Sequence, residues 1–299
     1  MAFNKRLGRV GIWSLGLNAT DPARSGEIGE AAAELEELGF GTLWIGGSPS
    51  VDQAVPLLAN TSRATVGTSI IRIWDQPAAE LAARHAELNA TYGGRFLLGL
   101  GVSHSETIDK GDHPLVARPY SAFKEYLTAL DTADTPVPRE QRAIAALGPK
   151  MLELARDRTL GALPYLTTPE HTAAARETLG PDALLAPEFK VVLDPDIERA
   201  RATARGYLAF YLTLANYRKS WLRSGFTEAD FADGGSNRLL DAVFALGDAT
   251  AVRRRADEYR AAGADHLAIP VVAADDQGNP VDLPLPQWRA LAEALPLAD

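Results

Sequence analysis

The sequence predicts an α/β fold in which parallel strands alternate with helices and close into a barrel. Three tracts carry this expectation: Gly39-Phe-Gly-Thr-Leu-Trp-Ile-Gly-Gly-Ser48, Val66-Gly-Thr-Ser-Ile-Ile-Arg-Ile-Trp74 and Gly94-Arg-Phe-Leu-Leu-Gly-Leu-Gly-Val-Ser-His104. Each is a short apolar strand that ends in small or hydroxylic residues, and helical periodicity fills the spaces between them. Apolar strands of this length separated by helices of about 10 to 15 residues are the pattern of βαβ units, whose parallel strands are covered on both faces.

Taken in order, residues 9–14 form a first apolar strand, and residues 25–38 carry the spacing of an amphipathic helix closed by Gly39. The second strand is 42–45. A helix over 53–64 leads to the third strand at 65–71, and a helix over 77–92, with Pro77 near its first turn, leads to the fourth at 96–99. Further strands are expected at 143–147, 161–166, 188–193 and 266–269, which makes eight and closes a barrel. Two long connections interrupt the rhythm. Residues 105–142 contain a helix at 122–132 among four prolines, and residues 196–246 open with a long amphipathic helix over 197–214.

A chain of 299 residues is compatible with one barrel domain carrying insertions, here 1–299 with insertions at about 105–142 and 196–246. The net charge of −9, with Arg253-Arg-Arg255 the one tight basic cluster, argues against a nucleic-acid partner, because phosphate contacts need a basic face. With no cysteine, disulfides and thiolate chemistry are excluded. No His/Asp/Glu cluster has metal-ligand spacing, and no apolar run approaches the roughly 20 residues that span a bilayer. The expectation is a soluble, cytoplasmic protein that acts on a small molecule.

In such barrels the chemistry lies where strands end. After the fourth strand, Gly99-Leu-Gly101-Val102-Ser103-His104 offers two glycines that admit a ligand to the backbone, then a hydroxyl and an imidazole. His104 can donate or accept a proton near neutral pH and is the candidate catalytic residue. After the fifth strand, Gly148-Pro149-Lys150 opens a helix, and after the sixth, Thr167-Thr168-Pro169 opens another. Helix N-termini supply free N–H groups and a positive dipole end, so these turns are candidates for a phosphate cradle. Thr168 followed by Pro169 also reads as an ordinary helix cap.

In order and spacing, the tracts from about Val10 to Val272 resemble the luciferase-like flavin and deazaflavin oxidoreductases, (β/α)8 TIM barrels that bind FMN or coenzyme F420. The most specific pieces are Gly67-Thr-Ser-Ile, Gly94-Arg-Phe-Leu-Leu-Gly-Leu-Gly and Ala261-Ala-Gly-Ala-Asp-His-Leu. The resemblance implies a bulge with a non-prolyl cis peptide near Ser69-Ile70, behind the cofactor ring. By the same resemblance Thr68, Ser69, Ile70, Gly101, Val102 and Ser103 would touch the cofactor. An acid commonly sits near the position of His104, and many members carry an acidic residue and a histidine where this chain has Gly46-Gly47-Ser48-Pro49, leaving Ser48 to hydrogen-bond. Trp13 and Trp74 would wall the substrate side or pack in the core. The resemblance implies hydride transfer with coenzyme F420, with FMN-dependent monooxygenation the closest alternative and a non-catalytic ligand-binding barrel a third, and a homodimer as the assembly.

Overall fold

The computed structural model describes residues 6–18, 20–103, 118–273 and 283–297. Its strands are β1 (Val10–Ser14), β2 (Thr42–Gly46), β3 (Thr65–Ser69), β4 (Ile71–Arg72), β5 (Phe96–Gly101), β6 (Arg142–Ile144), β7 (Gly161–Ala162), β8 (Leu184–Leu185), β9 (Lys190–Leu193), β10 (Phe244–Gly247) and β11 (Leu267–Ile269). They pair in parallel in the order β11-β1-β2-β3-β5-β6-β7-β8, with β4 also on β5. Glu188 closes the curl: it bridges in parallel to Tyr165 on one side and to Ala268 on the other. This is the α/β barrel expected from the strand count.

Helices α1 (Ser25–Glu37), α2 (Val55–Ala59), α3 (Ala78–Thr91), α4 (Pro119–Asp131), α5 (Pro149–Arg158), α6 (Pro169–Leu179), α10 (Ala249–Ala261) and α11 (Leu285–Ala294) cover the outer face. Period-two alternation decides which side chains meet them. Ile12, Leu43, Ile45, Val66, Phe96, Leu98 and Leu100 point outward into the cluster shared with the helices, while Trp13, Trp44 and Leu97 point inward. Trp44 fits the interior because Gly67 lies beside it: a Cβ on Gly67 would stand 2.5 Å from the indole. Trp44 Nε1 donates to His266 Nε2 at 3.0 Å, and the other imidazole nitrogen meets Gly8 O at 2.8 Å, so the lower barrel is sealed by a satisfied polar pair. Burial lowers the His266 pKa to about 4, keeping the ring neutral as that pairing requires.

Between β9 and β10 lies an insertion with its own core. Helices α7 (Ile197–Tyr211), α8 (Ala215–Arg223) and α9 (Asn237–Val243) pack around Leu208, Trp221, Leu240 and Phe244. Its strand β10, not anticipated from sequence, pairs in parallel with β9. The expected strand over 188–193 begins earlier, at β8, and resumes as β9. The third strand is split at Ile70 into β3 and β4, and the expected helix over 53–64 is shorter, a 3-10 turn followed by α2. Among the described residues no helix is long and apolar enough to cross a membrane.

One carboxylate ties α1 to the entry of β3. Glu36 accepts the backbone N–H groups of Ser62 at 3.0 Å, Arg63 at 2.6 Å and Ala64 at 2.6 Å, plus the Ser62 hydroxyl at 3.0 Å. Burial alone would raise its pKa, but these donors outweigh burial and bring it to about 2. A depressed folded pKa contributes stability that is complete above the unfolded value of about 4.5 and is lost as pH falls toward 2. Glu36→Gln is therefore expected to melt lower than the parent near neutral pH, and the gap should close as pH is lowered. Melting curves with a gap unchanged down to the acid limit would rule this out.

Candidate active site

A cavity of about 620 Å³ opens at the C-terminal ends of the strands. Its rim is assembled from consecutive strand ends: Trp13 near the end of β1, Ser48 after β2, Ser69 at the end of β3 and Ile70 after it, Val102 and Ser103 after β5, and Ala145 to Gly148 after β6. Tyr165 continues the wall beyond β7, and α7 and α8 lie over the opening through Tyr211, Asn216, Lys219 and Arg223. The barrel supplies the floor and the insertion the roof.

The Ser69-Ile70 peptide is cis. Its neighbours hold it from three sides: Ile70 N donates to Gly47 O at 3.2 Å, Trp13 Nε1 donates to Ser69 O at 3.3 Å, and the Ile70 side chain lies against Gly101, where a Cβ would come within 2.8 Å of it. Trp74 is fixed by its indole N–H on Val102 O at 2.7 Å. Ser103 has a φ of 59°, a backbone setting that non-glycine residues seldom take and that turns the chain at the cavity edge.

Thus Trp13, Ser48, Ser69, Ile70, Trp74 and Val102 come together around one space, joined by Ser103 and Gly148. Other residues singled out from the sequence lie elsewhere. The Thr68 side chain is spent on β5, its hydroxyl donating to Gly99 O and accepting from Gly99 N, both at 2.9 Å. Gly101 backs Ile70 rather than lining the cavity. Pro149 and Lys150 are exposed on the first turn of α5, outside the lining. Thr167 and Thr168 are buried away from the cavity, where Thr168 caps α6 by accepting from His171 N at 3.3 Å and Thr167 O accepts the Tyr259 hydroxyl. His104 lies outside the described residues, as does His113.

The cations at the cavity are on α8. Lys219 and Arg223 stand four residues apart, hence on one helical face, while Tyr217, Ser220 and Trp221 are buried. Trp221 docks the helix by donating to Leu166 O at 2.9 Å, and Arg223 reaches Leu147 O at 3.3 Å, beside the Gly148 cap of α5. His171 meets the same carbonyl through Nε2 at 3.0 Å, and burial lowers its pKa.

The profile of the luciferase-like monooxygenase family matches residues 9–266. The chain belongs to the luciferase-like monooxygenase family. A Mycobacterium tuberculosis protein provisionally named a coenzyme F420-dependent oxidoreductase is 23% identical, with 92% of this chain and 97% of that protein aligned. Among solved structures, an F420-dependent secondary alcohol dehydrogenase in complex with an F420-acetone adduct superposes with a TM-score of 0.71 at 14% identity, covering 98% of this chain and 99% of the other. The F420-dependent tetrahydromethanopterin reductase of Methanopyrus kandleri gives 0.67 at 15% identity over 97% and 98% of the two chains. The oxygenating constituent of 3,6-diketocamphane monooxygenase from Pseudomonas putida, in complex with FMN, gives 0.66 at 14% identity and 97% of both chains. These three establish a shared fold.

Within this luciferase-like barrel, one buried group has no counterpart in the residues chosen from sequence. Lys190 on β9 is fully buried and meets the buried Glu188 carboxylate, whose second oxygen has no partner among the described residues. The ammonium also lies over the rings of Tyr165 at 3.7 Å, Trp13 at 5.0 Å and Tyr207 at 5.0 Å. Burial pushes the Lys190 pKa well below that of a solvated lysine. Beside it the hydroxyls of Tyr165, Tyr207 and Tyr211 touch one another, and burial first of all raises all three pKa values. The phenols therefore remain protonated donors at neutral pH. The sequence does show one trace of this: a lysine in the apolar run 189–193, two residues from Glu188 and so on the same strand face.

Proposed function

We propose that the protein is an oxidoreductase that transfers a hydride between coenzyme F420 and a small organic substrate. The observation that carries this reading is one cavity lined both by apolar side chains, Trp13, Ile70 and Trp74, and by two cations, Lys219 and Arg223, the latter beside the start of α5. A planar ring bearing an anionic tail fits such a space, whose volume lies in the usual range for cofactor sites. The name carried by the Mycobacterium tuberculosis relative favours a deazaflavin over a flavin.

When bound, the deazaflavin supplies two-electron hydride chemistry with little reactivity toward oxygen. The chain's own contributions are binding and exclusion of water. Ile70 and Ser69 offer a backbone ledge for the ring, and Ser48 and Ser103 offer hydroxyls at its edge. Lys219 and Arg223 would take the phosphate, assisted by the positive end of the α5 dipole. His104 follows Ser103 directly and is assigned the proton-partner role from the sequence.

The test is equilibrium binding of coenzyme F420 and, separately, FMN, followed by fluorescence and absorbance. Tight binding of F420 with weak binding of FMN supports the proposal. Preference for FMN would replace it with flavin-dependent monooxygenation, and binding of neither would leave a barrel without this cofactor chemistry. Lys219→Ala and Arg223→Ala are each expected to weaken F420 about tenfold or more, since a hydrogen bond to a charged group contributes roughly 1.5–3 kcal/mol. The loss should shrink as salt is raised, because both side chains are exposed. Titrations in which both variants match the parent at low salt would remove the two cations from the site.

A further inference from the structure

We propose that the hydroxyl cluster of Tyr165, Tyr207 and Tyr211 is the recognition element for a single oxygen atom on an otherwise apolar substrate, with Tyr211 as the donor. The substrate class is then a small carbonyl compound or the corresponding alcohol. This assignment deepens the oxidoreductase reading and rests on it for the claim that the ligand is a substrate.

Proton counting and the contact geometry together point to Tyr211. Three hydroxyls hold three protons, and the cluster contains two short contacts, Tyr165 to Tyr207 at 2.5 Å and Tyr165 to Tyr211 at 2.7 Å. Each short contact consumes one proton. The third proton has only the Tyr207–Tyr211 contact, at 3.3 Å, which is long for an O–H···O bond. If both neighbours donate to Tyr165, the spare proton stays on a hydroxyl that already has two short partners; if Tyr207 donates to Tyr165 and Tyr165 to Tyr211, it belongs to Tyr211, which has one short partner and lines the cavity, whereas Tyr207 does not. An acceptor atom arriving in the cavity selects that direction. The adjacent Lys190 is engaged with Glu188 rather than with the phenol hydroxyls.

Two further observations fit this use. Tyr165 packs edge-on against Trp13 at 5.9 Å, and Trp13 in turn donates to Ser69 O, so the cluster is one indole away from the cis bulge. The Lys190 ammonium above the Tyr165 ring draws electron density from the phenol. A polarised phenol chain is a stronger donor, and its hydrogen bond strengthens as the bound oxygen gains negative charge.

The test compares cyclohexanone with its oxygen-free isostere methylenecyclohexane, by ligand-observed NMR titration of the full chain without cofactor. The parent should prefer the ketone about threefold to tenfold, the range of one net neutral hydrogen bond. Tyr211→Phe should abolish that preference while leaving methylenecyclohexane binding unchanged, a result that a merely structural role would not produce. Equal affinity of the two probes for the parent, or a preference kept by Tyr211→Phe, overturns the assignment; so does absence of ketone binding both with and without F420. Because the titration needs no cofactor, failure of the F420 reading is scored separately by the absorbance experiment. Unchanged methylenecyclohexane binding shows that the Tyr211→Phe protein is folded, so loss of the ketone preference reports on the hydroxyl.

Discussion

Replacing Gly99 with alanine is expected to cost the protein its stable fold, the largest single-residue effect we anticipate. The added Cβ would stand 1.8 Å from the carbonyl oxygen of Thr68 and 3.2 Å from the Leu163 side chain. The first of these is backbone, and it cannot swing away as a side-chain terminus could. Thr68 is moreover bound to Gly99 twice through its hydroxyl, so β3 and β5 must separate together with both bonds. Overpacking a well-filled interior typically costs about 1–3 kcal/mol and more where backbone must move. With two buried hydrogen bonds at stake as well, the expected loss is more than about 4 kcal/mol. Any folded remainder should also have an altered cavity, because Ser69 follows Thr68 directly and lines it. Gly26→Ala is the contrast, since nothing lies within 4 Å of a Cβ there and α1 should gain up to about 1 kcal/mol. Urea unfolding of both variants measures this, and a Gly99→Ala protein as stable as the parent would show that the strands can part at little cost.

Lys190→Met is expected to lower stability by about 3–5 kcal/mol, the usual penalty for stranding a buried charge. Met fills most of the lysine volume, so the loss isolates the ammonium. What it leaves behind is the Glu188 carboxylate, buried, with one oxygen already unpartnered among the described residues. An unpaired buried carboxylate takes up a proton more readily, so the deficit of the variant should shrink as pH falls. Combining Lys190→Met with Glu188→Met should recover most of the loss, because a buried ion pair exchanged for apolar groups is often neutral. Denaturant titrations at neutral and acid pH provide the readout. A single variant that unfolds with the parent at neutral pH, or a double variant worse than the single, would mean that the pair is not held as described.

The barrel was readable because its early strands are written in a local code. In β1, β2, β3 and β5 bulky residues that face the helices alternate with glycines and tryptophans that face inward, and each strand stops at small or hydroxylic residues. Where the code is short or continuous it failed. Strand β8 is two residues, Leu184–Leu185, and β10 follows α9 with no turn between them, so residues 237–247 read as one continuous segment. The site divided along the same line. Ser48, Ser69, Ile70 and Ser103 sit at strand ends and could be found by rule, whereas Lys219 and Arg223 look like the solvated face of any helix. Tyr165 is separated from Tyr207 and Tyr211 by more than 40 residues, and only folding brings their hydroxyls together.

The pairing of β10 with β9 means that the insertion is not hung from the barrel by loose ends but spliced edge to edge onto one of its staves. Its interior, around Trp221 and Leu240, is a second hydrophobic cluster, distinct from the one beneath the outer helices. Such a joint gives the molecule two separately packed storeys. The lower storey, with its glycine-lined bore and cis ledge, can therefore keep its packing while side chains of the upper storey are exchanged.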